Sequence, residues 1–147
     1  MNINEKELEM LIKKVIAEEL TKKNEVKHID KSGIAVVKTD KITKVKFDTG
    51  NPADEVYVTD LFTLEESPRM GTGIMEMTKS TFEWTLCYDE ILYIIEGRLE
   101  IVIDGRVVAG EVGNVILIPK GSTIKFSAPE YAKYTYVAYP ANWAEQK

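Results

Sequence analysis

Apolar residues near the start of the chain recur every three or four places, at Leu8, Leu11, Ile12, Val15, Ile16 and Leu20, which is the stripe of one helical face. Asn4 followed three positions later by Glu7 has the form of a capping box, and Ile3 and Leu8 stand where a hydrophobic staple packs. Glutamates crowd the first turns and Lys22 and Lys23 the last, as the helix dipole favours. The pattern predicts an amphipathic helix over residues 1–24, followed by a polar linker over 25–33.

From residue 34 onward the period shortens to two, the signature of strands. Runs at 34–38, 42–47, 55–63, 73–78, 81–86, 90–96, 99–104, 107–109, 114–118, 123–127 and 133–139 alternate with Gly, Pro, Asp or Asn clusters. Asp104-Gly105 predicts a two-residue hairpin, because both central positions of a type I′ turn need positive φ. Short strands at this frequency predict an all-β domain over 34–147. In the run "EILYIIE", Glu90, Leu92 and Ile94 point one way and Ile91, Tyr93 and Ile95 the other, so both faces are largely apolar. One face would line a barrel, and the other asks for a second subunit or for the N-terminal strands.

Composition narrows the functions open to such a domain. A chain of 147 residues, 44% hydrophobic, can bury one substantial core. A net charge of −5 argues against nucleic acid as a partner, since phosphate neutralisation needs basic residues in excess. The single cysteine, Cys87, excludes an internal disulfide, and no run approaches the roughly 20 apolar residues that span a bilayer. With no secretion-type leader in view, these features predict a cytoplasmic protein that does not engage membranes. The lone histidine, His28, falls in the polar linker, so no zinc, iron or copper site is expected.

Two segments carry a family resemblance. "DEILYIIEG" and "GNVILIPKGSTI" resemble the paired motifs of the cupins, with Glu90 and Gly97 matching the first and Gly113, Pro119 and Gly121 the second. The motif histidines are missing. Their places fall near Glu83 and Thr85, or Trp84 and Leu86, and at Ile124. With "WTLCYDEILYIIEG" and the C-terminal "YVAYPANWAEQ", the chain from about Val36 onward resembles the ethanolamine-utilisation cupin family EutQ.

The resemblance implies a jelly-roll β-barrel of the RmlC-like kind, commonly paired as a homodimer; members often carry a longer N-terminal region, where this chain has the short amphipathic helix and linker. It also implies acetate kinase activity, interconverting acetyl phosphate plus ADP with acetate plus ATP, in association with a bacterial microcompartment. Phosphoryl transfer asks a protein for positioning and charge neutralisation more than for covalent work. Carboxylates suit magnesium, so Glu90 with Glu76 or Asp89 is expected to hold Mg2+ alongside ATP or ADP. Lys120 or Arg69 would meet phosphate charge, Tyr93 would join Glu90 and Lys120 in catalysis, and Trp84 and Tyr134 would wall the substrate pocket. "PKGST" is no phosphate-binding loop of the NTPase type, because Lys120 precedes Gly121 and a strand, not a helix, comes next.

The helix suggests a second role. Leu8, Leu11, Ile12, Val15 and Ile16 could dock to microcompartment shell or cargo proteins, or pack back on the barrel or a dimer mate. The alternative to catalysis is therefore a silent cupin that serves assembly.

Overall fold

The structure, a computed structural model, describes residues 4–147, and for Asn24 only its backbone. It divides into two compact units, residues 1–42 and 43–147.

In the N-terminal unit, helix α1 spans Glu5–Val26. Asn4 caps it: its side chain accepts from the Glu7 amide at 2.9 Å while Glu7 accepts from the Asn4 amide at 3.1 Å, the two halves of a capping box. The Ile3 half of the expected staple lies outside the described residues. The stretch 25–33 is not the loose linker its polarity suggested. Helix α1 occupies its start, and strand β1 (Lys27–Ile29) pairs antiparallel with β2 (Ala35–Val37). Asp30 tightens the connecting turn by accepting from the Ser32 amide at 2.8 Å. His28 stands exposed on β1. The barrel unit accordingly starts at Thr43 instead of residue 34.

The C-terminal unit is the expected jelly-roll barrel, an antiparallel sheet of six strands in the order β3-β4-β8-β5-β6, with β7 also paired to β5. Strands β3 (Glu55–Asp60), β6 (Arg106–Glu111) and β7 (Val115–Ile118) are short. Three others are longer than the sequence suggested: β4 (Gly71–Thr85), β5 (Asp89–Ile103) and β8 (Thr123–Tyr139) each join two of the predicted runs. They stay continuous because bulges bend them where a break was expected, at Thr78/Ser80, Ile94/Glu96 and Gly97/Glu100. Lys79 takes a φ of 45° to make the first bend. Gly97 is required at the third: its φ is +74°, and a Cβ there would lie 2.0 Å from the Tyr131 carbonyl oxygen. The run 42–47 forms no strand, only an isolated bridge between Lys46 and Tyr57.

Bending closes the sheet over one core, in which Val56, Met77, Leu86, Leu92, Ile94, Leu99 and Tyr134 are fully buried. The Asp104-Gly105 turn takes φ of 49° and 72°, as a type I′ hairpin demands. On the outer surface Ile91, Tyr93, Val115, Leu117, Val137 and Tyr139 stay between 38% and 64% exposed. They form one patch, since Ile91 lies opposite both Leu117 and Val137, and Tyr93 opposite Val115. Among the described residues no helix is long and apolar enough to cross a membrane.

Candidate functional site

The pleat of β5 decides which residues reach the barrel interior. Glu90 points inward with Leu92 and Ile94, and is 6% exposed. It lies on the wall of a pocket whose other sides come from Phe82 and Trp84 of β4, Phe126, Tyr136 and Ala138 of β8, Val58 of β3, and Phe47, Tyr88 and Trp143 outside the strands. No lysine or arginine lines it. The cavity measures about 30 Å³; a single water needs roughly 10–15 Å³ on that scale, so a ligand of a few heavy atoms fits and a nucleotide does not.

Aromatic rings hold this space open by meeting edge to face. Phe47 and Trp84 pack with centroids 5.6 Å apart at 63°, and Trp84 and Trp143 6.0 Å apart at 65°. Trp84 is oriented by its indole N–H, which donates to the Tyr88 hydroxyl at 2.9 Å. Burial in these surroundings raises the Glu90 carboxyl to about 7, although the Tyr88 hydroxyl pulls the other way. Tyr88 and Tyr136 are themselves pushed upward, chiefly by burial. The Tyr136 hydroxyl donates to Asp60, and that of Tyr134 to the Met75 sulfur. The pocket thus holds neutral phenols and one carboxyl poised to change charge near neutral pH.

The structure brings together only some of the predicted site residues. Glu90 and Trp84 line the pocket, whereas Tyr134 is fully buried behind it, stacked on Phe126. Tyr93 is half exposed on the opposite face of β5, a consequence of its odd spacing from Glu90, and so cannot join it in catalysis. Asp89 points outward for the same reason and accepts from the Lys120 amide at 2.8 Å. Glu76 also faces outward, ion-paired with Lys44 at 2.5 Å and Lys133 at 3.7 Å. Glu76, Asp89 and Glu90 are therefore not the joint magnesium ligands their sequence positions suggested. Among the described residues no three His, Cys, Asp or Glu side chains gather at metal-binding distance. The arrangement does not fit a magnesium site built from these acids.

Lys120 and Arg69 are exposed on turns outside the pocket. The Lys120 turn is tied to the residues preceding Glu90 through Asp89 and through a bond from the Gly121 amide to the Leu86 carbonyl, 2.7 Å. Arg69 accepts through its carbonyl from the Ala141 amide at 3.0 Å, two residues before Trp143. Phe47, Tyr88, Tyr136 and Trp143 are pocket residues that the sequence pattern did not single out. Period-two alternation marks Tyr136 as inward once β8 is known to be continuous, but no local pattern marks Phe47 or Trp143, which reach the pocket from outside the strands. On α1, Leu8, Leu11, Ile12, Val15 and Ile16 are all about half exposed.

A closed jelly-roll barrel whose pocket retains the motif glutamate but no histidine defines a cupin without the metal triad of its motif. The cupin domain of Cnp3 from Schizosaccharomyces pombe shares this fold, with a TM-score of 0.58 at 14% identity over 71% of this chain and 73% of that one. The family described as ethanolamine utilisation protein EutQ matches residues 3–145, and the chain belongs to it. It is 51% identical over 152 residues to "Acetate kinase EutQ" of Clostridioides difficile, covering 99% of this chain and 97% of that one. The solved EutQ structure from Clostridium difficile superposes with a TM-score of 0.80 at 55% identity, covering 83% of this chain and 91% of that one.

A buried carboxyl raised from its unfolded value of about 4.5 to about 7 binds its proton more tightly in the folded state. Its burial therefore carries no ionisation penalty below pH 4.5, and stability falls as pH rises through that window, levelling off above 7. We expect Glu90→Leu to be more stable than the parent at pH 8, by on the order of 3 kcal/mol, and to lose that advantage at pH 4. Urea denaturation at the two pH values checks the sign, and a pH-independent difference would contradict it.

Proposed function

We propose that this chain acts in ethanolamine utilisation as an acetate kinase, interconverting acetyl phosphate plus ADP with acetate plus ATP. The observation that carries the reading is a small apolar pocket holding one carboxyl that is half protonated near pH 7, in a chain about half identical to a relative named for this activity. The methyl and carbonyl of the acetyl group match the size of the pocket, and the protonated Glu90 carboxyl is a hydrogen-bond donor there. An ADP β-phosphate oxygen attacks the acetyl phosphate phosphorus, the bond from phosphorus to the acetyl oxygen breaks, and acetate leaves with the electron pair. Glu90 donates to the carboxylate that develops, which supplies charge stabilisation in apolar surroundings. The nucleotide and the transferred phosphoryl group stay outside the barrel, where Lys120 and Arg69 are exposed to meet them. No step is assigned to a magnesium ion held by the protein's own acids.

Only protonated Glu90 donates, so kcat should fall as pH rises above about 7. Glu90→Gln, which keeps a donor, should retain activity to within a few-fold and lose that pH dependence. Glu90→Leu should lower kcat roughly 100-fold, the usual effect of removing one such donor. ATP formation by purified protein measures all three. Parent and both variants equally active, or all inactive, would remove the barrel from the reaction.

The outer patch of Ile91, Tyr93, Val115, Leu117, Val137 and Tyr139 supports a homodimer, because a flat apolar sheet face of this kind is stabilised by a matching copy. Lysine at both Val115 and Leu117 is expected to give a folded monomer in sedimentation experiments; an unchanged mass would exclude this face.

The half-exposed stripe of α1 supports association with a microcompartment through shell or cargo proteins, in the manner of a helix laid in a groove. Removing residues 1–23 should abolish recruitment to a shell while the barrel unit keeps its far-ultraviolet spectrum. Recruitment that survives the deletion would rule out the helix.

A further inference from the structure

The pocket has a chemistry that an acyl substrate does not use. Phe47, Phe82, Trp84 and Trp143 line it, packed on one another in tilted and edge-to-face arrangements, and aromatic rings carry a negative quadrupole on their faces. Glu90, 6% exposed, is the only charged side chain on its wall, and no basic group is present to pair with it. Rings around a carboxylate with no competing cation form the surroundings that recognise a small ammonium ion. The cavity, about 30 Å³, suits a compound of a few heavy atoms.

We propose that the barrel pocket is also a binding site for a small primary ammonium compound, the ammonium group lying between the Glu90 carboxylate and the faces of the aromatic rings. An ammonium of the size of ethanolammonium places its charge at Glu90 and has a hydroxyl left for Tyr88, whose oxygen already accepts from Trp84. The site goes beyond the phosphotransfer reading and does not rest on it. Where both hold, amine and acyl ligand exclude one another, and the charge on Glu90 selects between them.

The groups facing Glu90 are few. Tyr88 precedes it on the chain, Tyr134 and Tyr136 face it from β8, and Asp60 stands behind Tyr136. From β7 its neighbour is Ile118, and β4 contributes only Met75, Phe82 and Trp84 to the pocket. The phenols are held neutral across the ordinary pH range, which leaves Glu90 as the group whose titration controls binding. The carboxyl is protonated below about 7, so amine binding requires loss of that proton and strengthens as pH rises.

Both tryptophans of the chain line the pocket, so intrinsic fluorescence reports on it directly. Titrating the full chain at pH 8 with ethanolammonium chloride should give a saturable change, while neutral ethylene glycol at equal concentration gives none. The apparent Kd should rise about tenfold per pH unit below 7 and flatten above it. Glu90→Gln should weaken binding at least tenfold with an unchanged far-ultraviolet spectrum. Calorimetry in two buffers of different ionisation enthalpy reads the same event without a variant, and should show about half a proton released per amine bound near pH 7. Equal responses to amine and glycol, no saturation at pH 8, or binding without proton release at pH 7 would each overturn the proposal. Loss of kinase activity alone would not, because these readouts do not involve phosphoryl transfer.

Discussion

Successive residues of a strand must face opposite sides of its sheet, and in β5 both of those sides carry apolar groups. Glu90, Leu92 and Ile94 go to the interior, while Asp89, Ile91 and Tyr93 go outward. That single choice of register puts a carboxyl inside an aromatic barrel, a tyrosine on an apolar outer patch, and an aspartate where it can organise the turn at Lys120. A slip of one residue would exchange the two faces and expose the core. The bends at Ile94/Glu96 and Gly97/Glu100 let the strand continue around the barrel and shift the inward parity, from Glu90, Leu92 and Ile94 before them to Leu99 and Ile101 after them.

A carboxyl in such a place must be neutral, paired or bound to a cation, because apolar burial penalises its charge. Glu90 is the point at which the barrel retains polarity after the imidazoles of the cupin motif are gone. Its neighbours are phenols that stay neutral and apolar aromatic rings. The same side chain can then serve as a hydrogen-bond donor to an acyl oxygen when protonated, or as a counter-charge to an ammonium when ionised. Size acts as a second filter, since a cavity of about 30 Å³ admits only small ligands.

The N-terminal unit is built on other terms. Helix α1 has its own capping box and ion pairs such as Lys13 to Glu9 at 2.7 Å, both 62% or more exposed. Exposed pairs of this kind contribute little. Local signals hold the helix together, and its apolar stripe is left for a surface outside its own turns.

Much of this was legible along the chain. The helix, its cap and the hairpin at Asp104-Gly105 are encoded within a few residues each, so periodicity and turn chemistry reveal them. The barrel, and Glu90 as its inward carboxyl, come from alternation together with the motif glycines. Other features depend on residues distant in sequence. Whether two runs make one bent strand rests on pairings such as Gly97 with Ala132, which no local pattern records. The acids Glu76, Asp89 and Glu90 look alike in sequence, yet sheet pairing gives the first two outward partners, Lys44 and the Lys120 amide, and leaves only the third inside. Phe47 and Trp143 reach the pocket from opposite ends of the barrel unit, because closing a sheet brings its edges and connections over one mouth. Sequence determined which residues could be buried; tertiary structure decided which of them meet, since long-range pairing alone sets what lies across the barrel from what.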